Sequence, residues 1–157
     1  MKQLMAGIFA LALVASACGS DGEGTSTNAG SADGDRPAQN ACPSDGCSIE
    51  ILSTDANGAE IEITWSSNFD PDVAKNHIHL YWDIFTADEV SGDAADRGVE
   101  QGTWLPTDAY PGLVTSDVIS VTERGGSTTL CVTAADRDHS VIDSSEVDCK
   151  DVADLLS

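Results

Sequence analysis

The stretch Ala59-Glu60-Ile61-Glu62-Ile63-Thr64-Trp65-Ser66 decides the fold class, because apolar and polar residues alternate along it without a break. Side chains two positions apart share one face of a β-strand, so this stretch predicts a half-buried strand that turns Ile61, Ile63 and Trp65 towards a core. The same alternation occurs in other parts of the chain, at residues 48–51, 77–84 and 129–134, and weakly at 118–121 and 141–142.

About six or seven short strands of this kind predict an all-β antiparallel sandwich. The pair Asn57-Gly58 indicates a hairpin between the first two strands. Thr86 and Glu89 have the spacing of a capping box, which predicts a short helical insert after the third strand that ends near Gly92 or Gly98. Residues 101–112, which follow this insert, are predicted to be irregular.

Three of the alternating patterns resemble strands of fibronectin type III domains, which are immunoglobulin-like β-sandwiches. Ile61-x-Ile63-x-Trp65 is similar to their second strand, His79-Leu80-Tyr81 to their third and Val132-x-Ala134 to their sixth. The resemblance implies that the third and sixth strands are antiparallel neighbours. It also implies a domain that contacts proteins or spaces other domains, although a fold by itself does not determine function.

The N-terminal residues have the pattern of an export signal. Lys2 precedes an apolar run at 4–15 that is too short to cross a bilayer. Ala15-Ser16-Ala17-Cys18 resembles the lipobox of bacterial lipoproteins, which implies a signal peptide at 1–17, cleavage before Cys18 and acyl chains such as palmitate on the cysteine. We therefore expect a membrane-anchored protein on the extracytoplasmic side of the cell envelope. The alternative is an ordinary secretory signal with Cys18 as a thiol.

Composition divides the rest of the chain in two. Residues 18–40 carry the lipidated cysteine and a linker of small and acidic residues, which cannot bury enough surface to fold. Residues 41–157 form the predicted β-sandwich domain. The chain has 7 basic and 27 acidic residues, so its net charge is −20, and loss of Lys2 with the signal peptide makes it −21. This charge excludes nucleic acid as a partner.

Assigning Cys18 to lipid leaves an even set of four cysteines in an oxidising compartment. Cys42 and Cys47 can close a small loop, and Cys131 lies within the sixth strand while Cys149 follows the last one. We expect the pairs 42–47 and 131–149, although three connectivities are compatible with the sequence. Zinc is the rival explanation for these cysteines, but the paired short spacings of a zinc site are missing.

The three histidines form the only candidate for site chemistry. His77 and His79 are two apart on the third strand, so they share its outer face, opposite Trp82. His139 is in the loop that leaves the sixth strand, which the resemblance places beside the third. The same corner is expected to hold four carboxylates, those of Asp70, Asp72, Asp136 and Asp138.

Three imidazoles in this arrangement suit zinc or copper(II), with the carboxylates as outer partners. The alternative is structural: histidines at a half-exposed strand end often hydrogen-bond to a loop and hold it. The acidic loops could instead hold calcium, although they lack the spacing of an EF-hand.

Trp104 and Tyr110 lie on the predicted irregular stretch, where aromatic rings could stack on a glycan or contact a partner protein. Such a loop more often folds back and covers a sheet edge. Aromatic residues make up only 5% of the chain, and it carries no recognisable catalytic motif. The sequence thus favours a non-enzymatic cell-surface lipoprotein with an interaction domain. The alternative is an extracytoplasmic metal-binding protein that uses the three histidines.

Overall fold

The computed structural model describes residues 36–156. The predicted signal peptide, Cys18 and most of the predicted linker therefore lie outside the described residues. Residues 36–40, which composition assigns to the linker, are hydrogen-bonded to the domain. Asn40 donates to the backbone oxygens of Asp70 and Asn76 at 2.6 and 2.7 Å, and Arg36 forms an ion pair with Asp70.

Residues 36–156 form seven strands in two antiparallel sheets, so the predicted all-β sandwich is confirmed. The strands are β1 Ile49–Asn57, β2 Glu60–Ser67, β3 His77–Trp82, β4 Leu105–Thr107, β5 Gly112–Val114, β6 Thr129–Ala135 and β7 Val147–Asp151. One sheet has the order β1-β2-β5, and the other has the order β4-β3-β6-β7. Strand β4 lies within the stretch predicted to be irregular, and β5 begins at the last residue of that stretch.

The core lies between the two sheets and follows from the alternation of the strands. Ile61, Ile63 and Trp65 of β2 are inaccessible to solvent. They pack with the alternate residues of the opposite sheet, Ile78, Leu80, Trp82, Leu130 and Val132. Full burial of one such side chain contributes roughly 1.5–3 kcal/mol, so this layer dominates the stability of the domain.

Two local predictions for the strands have different outcomes. The hairpin at Asn57-Gly58 is confirmed, because Asn57 pairs with Glu60 and Gly58 takes a φ of +67°, which glycine adopts without strain. The weak strand prediction at 118–121 is wrong. Two short 3-10 helices, Asp117–Ile119 and Val121–Glu123, occupy that region.

The helix predicted after the third strand is also wrong. The capping-box hydrogen bonds do form, since Thr86 N donates to Glu89 Oε2 at 2.7 Å and Glu89 N donates to Thr86 Oγ1 at 3.4 Å. They close a turn, and a series of turns replaces the helix up to Gly98. Gly92 has low helix propensity, and its N–H donates to the His139 oxygen instead of to a carbonyl of its own segment.

Both predicted disulfides are confirmed. Cys42 and Cys47 close a loop ahead of β1 with their Cα atoms 4.7 Å apart. Cys131 and Cys149 are directly opposite each other on β6 and β7, with their Cα atoms 4.1 Å apart. Cys149 therefore lies within the last strand and not after it. Among residues 36–156, no helix has the length and apolar character needed to cross a bilayer.

The outer face of β3 differs most from expectation. The sequence predicts a half-exposed face, yet all six residues of the strand are buried. A second cluster of Tyr81, Val90 and Cys131 packs over this face, together with Phe85 and Trp104. The turns after β3 thus form a third layer, which covers the outer side of the sheet.

Candidate metal centre

The three histidines lie together at one end of the four-stranded sheet. His77 of β3 pairs with Ala135, the last residue of β6, and His139 follows in the loop after β6. His77 Nε2 is 3.1 Å from His79 Nε2 and 3.0 Å from His139 Nδ1. His79 Nε2 is 3.4 Å from His139 Nδ1. Three ring nitrogens therefore form a nearly equilateral triangle.

Backbone carbonyls fix the tautomers of the two strand histidines. His77 Nδ1 lies 3.1 Å from the backbone oxygen of Lys75, and His79 Nδ1 lies 2.7 Å from that of Val90. A carbonyl oxygen can only accept, so each Nδ1 carries the hydrogen of the neutral ring. Each Nε2 then directs a lone pair at the other two histidines.

Burial keeps both strand histidines neutral. Their side chains are inaccessible to solvent, and loss of hydration disfavours the imidazolium form. Burial lowers the pKa of His77, and it lowers the pKa of His79 from 6.5 to about 3. At neutral pH both rings are therefore in the form that binds a metal ion.

The loop after β6 places His139 with a backbone conformation that is uncommon for a residue with a side chain. Its φ is +62°, in the left-handed region. The loop is held by Asp136, whose Oδ1 accepts from Asp138 N at 2.8 Å and from Ser140 N at 3.0 Å. Strained residues of this kind concentrate at functional sites.

The segment after β3, residues 86–102, closes the cluster from the outer side. Val90 supplies the carbonyl that orients His79, and Gly92 N donates to the His139 oxygen at 2.6 Å. A Cβ atom on Gly92 would lie 2.6 Å from the backbone oxygen of Asp138, so only glycine allows this approach. Val141 N donates to Ser91 Oγ at 3.0 Å and completes the contact between segment and loop.

Sequence reasoning did not identify Val90 or Gly92 as parts of the site. Val90 acts through its backbone oxygen, which has no signal in the sequence. For Gly92 the sequence predicts only a possible helix end, although a glycine often marks a place where backbone segments approach closely.

The four carboxylates expected at this corner are not metal ligands in the structure. Asp70 forms an ion pair with Arg36, and Asp72 forms one with Lys75 at 3.0 Å. Asp136 accepts hydrogen bonds from the backbone of its loop. The charges of Asp136 and Asp108 favour a higher pKa of His77, but the opposing effect of burial is larger. Within residues 36–156, the one group suited to hold a metal consists of the three histidines alone. The expected outer partners are replaced by backbone carbonyls.

Trp104 and Tyr110 are both half-buried, and they pack in different places. The Trp104 ring stacks on His79 with the ring centroids 5.0 Å apart and an interplanar angle of 25°. Tyr110 packs against the main core, and the Arg36 guanidinium lies 5.9 Å from its ring centroid. Trp104 is therefore part of the wall of the histidine cluster, and the two rings do not form a common stacking platform.

A groove that the sequence did not reveal lies at the other end of β3. Its volume is about 480 Å³. The apolar lining includes Ile84, which is 45% exposed, and Val118, which is 44% exposed, and Asp117 and Glu123 line the same groove. This surface combines apolar walls with negative charge.

The three-histidine cluster has the geometry that a metal ligand set requires: three ring nitrogens converge, and those of His77 and His79 have oriented lone pairs. Comparison with models of protein families gave no match, and comparisons with curated proteins and with solved structures gave none either.

Proposed function

We propose that this protein binds one transition-metal ion through His77, His79 and His139 on the extracytoplasmic side of a membrane. The observation that carries the proposal is the triangle of ring nitrogens, with separations of 3.0, 3.1 and 3.4 Å. With their Nδ1 atoms protonated, His77 and His79 direct two lone pairs at each other. These lone pairs repel unless a cation or a proton lies between them.

A purely structural role for the cluster accounts for less of this geometry. The bond from His79 to the Val90 oxygen fits a histidine that holds a loop, but a structural role would also require N–H···N hydrogen bonds to join the three ring nitrogens. Here the N–H groups of His77 and His79 are used on carbonyls, so only His139 Nδ1 can offer a hydrogen to the cluster. A metal ion satisfies all three lone pairs at once.

The shape of the triangle favours zinc over copper(II). A tetrahedral ion with bonds of about 2.0–2.1 Å to nitrogen sets its ligands about 3.3 Å apart. Copper(II) prefers tetragonal coordination, in which opposite nitrogens are about 4 Å apart. None of the three separations reaches that value, the longest being 3.4 Å.

The cellular location is part of the proposal. The lipobox-like pattern at Cys18 supports a lipid-anchored protein of the cell envelope, and two disulfides suit an oxidising compartment. The antiparallel pairing of β3 with β6 supports the fibronectin type III-like, immunoglobulin-like topology that the sequence resembles.

Thermal unfolding of the whole protein, with and without zinc chloride or copper(II) chloride, tests the metal proposal. Zinc at a hundred times its Kd should raise Tm by about 10 °C. His79→Ala should lose that rise, whereas Tyr81→Phe, at the next position on the same face of β3, should keep it. Absence of any metal-dependent rise in the wild type, or an equal rise in His79→Ala, would overturn the proposal.

A second candidate function, contact with another protein, is favoured by the groove beside Ile84 and Val118. A groove lined by apolar side chains together with Asp117 and Glu123 suits an apolar side chain flanked by lysine or arginine. Titration with a peptide of two leucines between arginines should show binding that Ile84→Ser abolishes. Equal binding of a glutamate-flanked peptide, or no binding, would contradict this role.

A further inference from the structure

We infer that the metal ion held by the three histidines keeps one coordination position open and binds a small anion there. The inference rests on the proposed metal-binding function. It adds a second ligand class, small monodentate anions such as a carboxylate or hydroxide.

The first support is the number of ligands. Within residues 36–156, no fourth histidine, cysteine, aspartate or glutamate belongs to the group. Structural zinc sites have four protein ligands, whereas sites with three protein ligands leave the fourth position to water or to an exchangeable ligand. The cluster of His77, His79 and His139 has three protein ligands and therefore resembles the sites with an exchangeable fourth ligand.

The second support is charge. Histidine binds a metal ion as a neutral ring, so a ligand set of three histidines leaves the charge of a divalent ion uncompensated. A buried, uncompensated charge is costly. Asp136 is occupied by the backbone amides of its own loop, and Asp70 and Asp72 are paired with Arg36 and Lys75. An anion in the fourth position would reduce the net charge of the centre.

The third support is the direction of access. His77 and His79 are fully buried, and Trp104 stacks on the His79 ring. His139 is only partly buried and lies on a loop. The open position is therefore expected on the side of His139.

Cobalt(II) substitution of the whole protein, followed by titration with sodium azide, tests the inference. Bound cobalt should give the visible absorption of a four-coordinate ion, and azide should shift that spectrum to a saturating end point. Dialysis followed by metal analysis should show that cobalt stays bound. His139→Ala, as control, should lose the cobalt spectrum.

The outcomes separate the two proposals. Stable cobalt binding with a spectrum that a large excess of azide leaves unchanged would overturn the open position and leave metal binding intact. Failure of the wild type to bind cobalt or zinc would overturn both. A saturable azide shift without loss of cobalt would support both.

Discussion

The two faces of β3 are equally buried, but their burial has different origins. Towards the sandwich, Ile78, Leu80 and Trp82 meet the other sheet in an apolar core. On the outside, His77, His79 and Tyr81 are covered by the turns that follow the strand. The inner face stabilises the fold because it buries apolar surface. On the outer face, the covering turns exclude water from the imidazole rings and fix their tautomers. The same strand thus carries both the stability and the candidate chemistry.

The largest expected effect separates these faces by stability. Leu80→Ala removes core volume and should lower the free energy of unfolding by about 2–5 kcal/mol. Since Leu80 faces away from the histidines, the Tm rise with zinc should persist in this variant. Chemical denaturation with and without zinc measures both quantities. Loss of the zinc effect together with the stability would show that the two faces are not independent.

The disulfide beneath the outer cluster gives the next effect. Cys131 and Cys149 are 18 residues apart, and a cross-link of that length stabilises a domain by about 3 kcal/mol through the unfolded state. Replacing both cysteines by serine should lower the unfolding free energy by about that amount. The matched control is the Cys42–Cys47 pair, whose cysteines are only 5 residues apart. Because the loop it closes is shorter, its removal should lower the unfolding free energy by less. A larger effect from the control pair would contradict this ranking.

Gly92→Ala tests whether the covering segment organises the metal site. The added Cβ would collide with the backbone oxygen of Asp138 and push the segment away from the His139 loop. Loss of an outer contact of this kind typically costs about 10–100-fold in metal affinity. Gly58→Ala is the control for general destabilisation, because an alanine with a φ of +67° is strained there but meets no atom, and the β1–β2 hairpin belongs to the other sheet. A zinc titration that gives Gly92→Ala the wild-type Kd would show that the segment is only a cover.

The last expected effect is the pH dependence of the unfolding free energy of the metal-free protein, which we consider between about pH 6.5 and 5. The unfolded chain protonates His79 near pH 6.5, but burial lowers the pKa in the folded state to about 3. The unfolded state therefore binds more protons between these values. Stability should be full above about pH 6.5 and fall as the pH drops, by at most about 1.4 kcal/mol per pH unit for this histidine.

His79→Gln should flatten that decline. The carboxylates whose pKa values are lowered, Asp72, Glu89 and Asp143, start from ordinary values of 3.8 to 4.5 and act at lower pH. Urea denaturation between pH 6.5 and 5 thus reports mainly on the histidines. A wild-type decline that His79→Gln leaves unchanged would contradict the burial argument.

The contrast between the faces also explains what the sequence could predict. Alternation in β2, β3 and β6 is sufficient for the two sheets, because each strand buries one apolar face. The fibronectin type III resemblance adds the pairing of β3 with β6, and with it the approach of His139 to the strand histidines. The cysteine spacing predicts two disulfides but does not choose between connectivities.

The covering segment could not be predicted in the same way. Residues 86–102 have no apolar period, and their contacts use backbone groups, namely the Val90 oxygen and the Gly92 nitrogen. Strands β4 and β5 have only three residues each, which is too short for alternation to show. The burial of His77 and His79, on which the metal chemistry depends, follows from these unpatterned contacts.

X-ray absorption at the zinc edge tests the central claim, that three imidazoles share one ion, most directly. The account predicts one tightly bound zinc per chain with three imidazole nitrogens and one further light atom at about 2.0–2.1 Å. Sulfur in the coordination shell, a shell of oxygens without imidazole scattering, or no bound zinc would contradict it.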